Sequence, residues 1–151
     1  MIFLARGLLL GLAVWVAALA GAPAAIASAR PPLVIGAAAA YSAGSLICHQ
    51  RAERSFTIRG RQMPVCARCS GLYASALLGG VLALAAFRRR RIDLGRARWV
   101  LAAAALPTAA TWLLELAGAA HPSNAARALA ALPLGMAAGW TVIRMMAEEQ
   151  P

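Results

Sequence analysis

Three cysteines and one of the two histidines fall in a single charged stretch, "SLICHQRAERSFTIRGRQMPVCARCSGLY", residues 45 to 73. Cys66 and Cys69 form a C-x-x-C turn, in which two sulfurs can converge on one ion while backbone N–H groups hydrogen-bond to them. With Cys48 and one imidazole they make a Cys3His set, a known tetrahedral arrangement for structural zinc. His49 is the nearest imidazole in the sequence. Adjacent side chains diverge by about 100° on a helix and point to opposite faces on a strand. Joint ligation by Cys48 and His49 therefore needs a bend between them, which makes His121 a rival fourth ligand. The same atoms support other chemistry. A C-x-x-C thiol beside Arg68 favours its thiolate and can exchange disulfides, with Cys48 as a third thiol. Plain structural cysteines are the third reading. Ser70, not His, follows Cys69, which disfavours covalent c-type haem, and no nucleotide cofactor is indicated.

A second group of polar residues lies among apolar ones. Glu115 sits inside "TWLLELAG", and ionisable groups within a membrane helix are costly and usually paired or functional. Arg127, across a short turn, is its natural salt-bridge partner. Arg51, Arg54, Arg68, Glu115, Asn124 and Arg127 together outline a polar pocket with a basic rim. A guanidinium fork matches phosphate, so such a rim suits an anionic substrate or lipid headgroup. Topology signalling is the plainer reading of the same arginines.

The elements that position these residues are apolar blocks. Of 151 residues, 62% are hydrophobic and only 13% charged, far from the norm for soluble domains. Five blocks stand out, at about residues 7–29, 33–47, 70–87, 99–118 and 125–146. Unpaired backbone groups are expensive in lipid, so runs of this kind read as transmembrane helices. The expectation is an all-α, polytopic helical membrane bundle forming one domain over residues 1–151, with a cysteine loop at 48–69 between helices two and three. The first block also fits a secretory signal peptide ending in "ASA", which would leave four helices. The net charge of +10 comes from 15 Arg and no Lys. Placed between apolar blocks, these arginines point to anionic lipid headgroups and not to nucleic acid.

Single crossings by blocks two to five would put the cysteine loop on the same membrane face as the turn "AAHPSN". Cys48, His49, Cys66 and Cys69 would then share a face with Glu115, His121, Asn124 and Arg127. Residues 88–98 carry six Arg and one Asp, against five Arg and one Glu in residues 48–69. The denser Arg run favours a cytoplasmic position for 88–98 and an external cysteine face in an inner, multi-pass cell membrane protein. A cleaved signal would invert that orientation. Inside the loop, two short extended arms, Ser55 to Ile58 and Arg61 to Val65, are expected about an Arg59-Gly60 turn. Small residues recur every fourth position at Gly36, Ala40 and Gly44; at Gly71, Ser75 and Gly79; and at Gly135 and Gly139. These strips favour close helix packing, within one chain or in a helix-mediated oligomer.

The stretch "CHQRAERSFTIRGRQMPVCARCSGLY" resembles the signature of a family of small predicted integral membrane proteins of bacteria and archaea, of unknown function. The resemblance is carried by Cys48, His49, Gln50, Arg54, Ser55, Phe56, Gly60, Gln62, Pro64, Cys66, Arg68, Cys69, Gly71 and Tyr73. A second block is carried by Glu115, Ser123, Asn124, Arg127 and Gly135. It implies a membrane protein with a shared polar centre and supplies no activity. Whether the chain is an enzyme is left open. Three functions stand at this point: a zinc-binding loop over a polar pocket, a membrane thiol-disulfide oxidoreductase, and a non-catalytic scaffold for lipid or a protein partner.

Overall fold

The computed structural model describes residues 2–86 and 93–148. The Arg88–Arg91 run, on which part of the orientation reading rests, lies outside the described residues, as do residues 149–151. Five α-helices follow one another: α1 (Ile2–Ala27), α2 (Pro31–Ile47), α3 (Ala67–Ala85), α4 (Leu94–Leu116) and α5 (Asn124–Glu148). Four of them, α1, α3, α4 and α5, are long and apolar enough to cross a membrane. The exception is α2, at 17 residues and so about 25 Å, short of the roughly 30 Å hydrocarbon core. The premise that block two crosses like the others therefore loses its length argument.

The α3–α5 pair is the most extensive helix contact, and glycine makes it. A Cβ at Gly71 or Gly79 would run into the backbone of Ala128 or Met136 on α5. A Cβ at Gly135 or Gly139 would strike Leu72 and Ser75, or Ala76, on α3. Such close approach supplies van der Waals packing where lipid removes the hydrophobic drive between helices. The α2 strip works differently: Gly36 faces open space, while Ala37, Ala40 and Gly44 are buried.

Two separate contacts hold the two ends of α1. Ala5 and Leu9 pack with Ala83 of α3 and Ile143 of α5. Further along, Ala22 packs with Ala37 and Ala40 of α2. Between these contacts, Leu19 joins Cys48, Met63 and Val65, and the Trp15 ring meets Tyr73 edge-on at 6.1 Å. The cysteine loop thus lies against the middle of α1, in the angle between α2 and α3.

The loop is a built structure. A 3-10 turn (Ala52–Arg54) leads into strands β1 (Thr57–Ile58) and β2 (Arg61–Gln62), paired antiparallel with Thr57 opposite Gln62 and Ile58 opposite Arg61. The strands are shorter than the extended arms expected. Arg59 and Gly60 both have positive φ, 52° and 75°, as a two-residue hairpin turn matching strand twist demands. Side-chain amides brace the interior. Gln50 Nε2 donates to the carbonyls of Tyr41 and Pro64, each at 2.7 Å, and Gln62 Nε2 donates to the Gln50 carbonyl. The Tyr41 hydroxyl donates to the Gln62 carbonyl, tying the hairpin to α2.

Candidate functional site

Two helix ends and the hairpin bring the cysteines together. Cys48 caps the C-terminus of α2, Cys66 is the N-cap of α3, and Cys69 lies in the first turn of α3. The loop therefore ends at Cys66, and the expected 48–69 span overruns by the first helical turn. All three Sγ atoms lie within 4.8 Å of one another. The N–H of Cys66 donates to Cys48 Sγ at 3.2 Å. Buried Val65 and Met63 close the site from the loop side and Leu19 from α1. All three are free thiols.

At Cys66 the electrostatics favour thiolate. The Cys69 side chain is the largest influence holding the Cys66 thiol well below its ordinary value. Burial opposes it, and the backbone N–H groups of Cys69 and Arg68 and the Cys48 side chain add to the lowering. The N-terminus of α3 works in the same direction, since its unpaired N–H groups and dipole stabilise negative charge. With Zn–S bonds of ~2.3 Å, tetrahedral ligation sets sulfurs roughly 3.8 Å apart. A triangle with edges no longer than 4.8 Å needs at most about 1 Å of contraction to reach it. Among the described residues, the group with metal-ligand proximity consists of these three cysteines alone. His49 and His121 are exposed and outside it, so the fourth position is not supplied by a neighbouring imidazole in this conformation. Cys48 is extended and the positive φ of 47° falls at Gln50, one residue beyond the pair, and His49 lies at the surface.

Arg68 lies between Cys66 and Cys69 in the chain, yet its guanidinium serves a second centre. Glu115, with a side chain 4% exposed, accepts from Arg68 Nη2 at 2.8 Å and from Arg127 Nη2 at 2.7 Å and Nε at 3.0 Å. Arg54 Nε stands 3.8 Å away. Asn124 joins through its carbonyl oxygen, which accepts from Arg127 Nη1 at 2.7 Å, and through its amide, which donates to the Ser55 carbonyl at 2.9 Å. These bonds place the cysteine loop, the end of α4 and the start of α5 at one end of the bundle. Of the six polar-pocket candidates, Arg54, Arg68, Glu115, Asn124 and Arg127 converge. Arg51 is exposed and makes no ion pair among the described residues.

Sequence reasoning missed several participants. Thr111 accepts from Arg68 at 3.3 Å, and its position one helical turn before Glu115 was the available signal. Ser55 is buried and connects the loop to Asn124. Leu19 shields the sulfurs from a helix that the sequence placed no nearer to them than any other.

With this geometry in view, comparison with known proteins identifies the chain's relatives. Residues 48–141 match the family described as "Predicted membrane protein (DUF2085)". The chain belongs to that family. The matched DUF2085 segment begins at Cys48 and contains every residue of both centres. An uncharacterized protein of Methanocaldococcus jannaschii is 36% identical over 104 residues, covering 68% of this chain and 63% of its own length. An uncharacterized protein of Methanothermobacter thermautotrophicus is 53% identical over 30 residues, covering 20% of this chain and 27% of its own. The chain thus spans less than two thirds of the length of these relatives. No solved structure matches.

Proposed function

We propose that this multi-pass membrane protein binds a metal ion, zinc, through the thiolates of Cys48, Cys66 and Cys69. The observation that carries the reading is the sulfur triangle itself, built from two different helix ends with a backbone N–H already bonded to one sulfur. Three soft thiolates select zinc or other thiophilic ions over hard cations. A fourth ligand comes from water, an external group or a rotated His49. Bound metal would tie the end of α2 to the start of α3 and so hold Arg68 on Glu115, which makes the ion a clamp for the polar pocket of Arg54, Arg68, Glu115, Asn124 and Arg127. The packing of Leu19 and Trp15 on this site supports retention of α1 as part of the working protein; the Arg-dense segment 88–98 supports an inner cell membrane with the cysteine face external.

Metal analysis of the purified full chain tests the proposal. About one zinc per chain is expected, lost in Cys48→Ser, Cys66→Ser and Cys69→Ser alike; metal-free wild type, after purification without chelators and zinc resupply, defeats it. The low Cys66 thiol favours one alternative, a thiol-disulfide exchanger. Reversible trapping of a Cys66–Cys69 disulfide by a mild dithiol couple, with no metal bound, would establish that alternative instead.

A further inference from the structure

The Glu115 centre has more positive charge than its own residues neutralise. Three guanidinium groups, those of Arg54, Arg68 and Arg127, surround one carboxylate. Asp93 sits at the opposite end of α4 from Glu115. Glu53 is exposed and forms no ion pair among the described residues. Among the described side chains, two positive charges are therefore left beside a helix that is apolar over most of its length, where excess charge is costly.

The three arginines are not equivalent. Arg68 and Arg127 are largely buried, at 18% and 9% side-chain exposure, and bond Glu115 closely. Arg54 is 38% exposed and 3.8 Å distant, the one guanidinium of the set placed to turn towards a ligand. It lines a cleft of ≈ 160 Å³ together with Trp112, Glu115 and Leu116. Trp112 and Leu116 are one helical turn apart and expose 50% and 70% of their surface, so the cleft has a cationic wall and an apolar wall. The Nε of Arg68 is buried without a hydrogen-bond partner, a further donor left over at the same centre.

We propose that this cleft binds the phosphate headgroup of an anionic lipid, with the phosphate on Arg54 and its acyl chain along Trp112 and Leu116. A guanidinium fork suits a phosphate's oxygens. The apolar wall, at the end of a membrane-length helix, suits a ligand whose phosphate arrives attached to hydrocarbon. A zwitterionic headgroup adds a cation that would face the surplus positive charge, so anionic lipid is selected. The proposal stands apart from the metal reading and needs none of the cysteines.

The test is equilibrium binding of short-chain phosphatidylglycerol, short-chain phosphatidylcholine and inorganic phosphate to the full chain in neutral detergent. Phosphatidylglycerol should bind about tenfold more tightly than phosphatidylcholine, roughly the factor from repulsion between the choline cation and one surplus unit charge about 12 Å away at an effective dielectric of about 20. Arg54→Gln should abolish the preference, and Arg59→Gln, at the exposed hairpin turn, should leave it intact. Trp112→Ala should weaken phosphatidylglycerol binding at least threefold; being exposed, it also serves if Arg54→Gln fails to fold. Equal binding of the two lipids, equal losses in Arg54→Gln and Arg59→Gln, or full binding by Trp112→Ala would overturn the proposal. Inorganic phosphate binding as tightly as phosphatidylglycerol would overturn it too.

Discussion

Replacing Glu115 by Gln removes the one negative charge in a cluster of four charged side chains while keeping volume and a carbonyl acceptor. Glu115 is 4% exposed, and its partners Arg127 and Arg68 are 9% and 18% exposed. Water can therefore repair little of the loss. Breaking a buried ion pair from one side costs about 3–5 kcal/mol, because the other charge is left uncompensated. Here two largely buried arginines are stranded, but the retained amide oxygen still accepts from one of them, so the lower end, about 3 kcal/mol, is expected. That is roughly a hundredfold in the folding equilibrium. Reversible unfolding in mixed micelles would measure it, with exposed Glu53→Gln, expected within about 0.5 kcal/mol of wild type, as the control. A double-mutant cycle with Arg127→Gln should return a coupling of about 1–3 kcal/mol. If Glu115→Gln is as mild as Glu53→Gln, the three-arginine centre does not hold α4 to the loop and α5, and the account of the polar pocket fails.

Other outcomes follow from the same geometry. Gly79→Ala puts a methyl group into the Met136 backbone and should cost about 1–3 kcal/mol by forced separation of α3 from α5. Gly36→Ala, with open space around it, should be neutral or slightly stabilising by thermal unfolding in the same detergent. Gly60→Val places a β-branched residue at a φ of 75°; it should destabilise the loop by about 1–3 kcal/mol and weaken metal retention in competition with a chelator, while Gly60→Asn does neither. Removing residues 1–29 uncovers Val65 and Met63, so the truncated chain should lose metal faster than the full one, and the mass of the mature N-terminus should show α1 retained.

What was legible in the sequence was mostly apolar patterning and backbone chemistry. Five blocks bounded by charge became five helices, because block length and bilayer cost leave few alternatives. Arg59-Gly60 read as a hairpin turn because Gly60 accepts positive φ, and the structure gives that conformation to Arg59 as well. The small-residue strips on α3 and α5 were legible as close-packing faces, and the structure pairs them, each glycine facing the other helix's backbone. Side-chain direction was less accessible. His49 looked like a ligand by adjacency, yet it is exposed, outside the sulfur group. Arg68 looked like a cation for the thiols, yet its guanidinium reaches Glu115 and Thr111. Which way a side chain leaves a loop or a first helical turn depends on tertiary partners 43 to 47 residues away in the chain, and no local pattern encodes them. The role of α1 in covering the cysteines was hidden for the same reason.

The central claim is that Cys48, Cys66 and Cys69 act together as ligands to one ion. Cobalt(II) substitution of the purified full chain reads this directly, because thiolate-to-cobalt charge transfer grows with the number of sulfur ligands and tetrahedral d–d bands report the geometry. The account predicts a tetrahedral spectrum with charge transfer from three thiolates, falling by about a third in each single Cys→Ser variant that still binds. A weak octahedral spectrum, or one unchanged by Cys48→Ser, would contradict it.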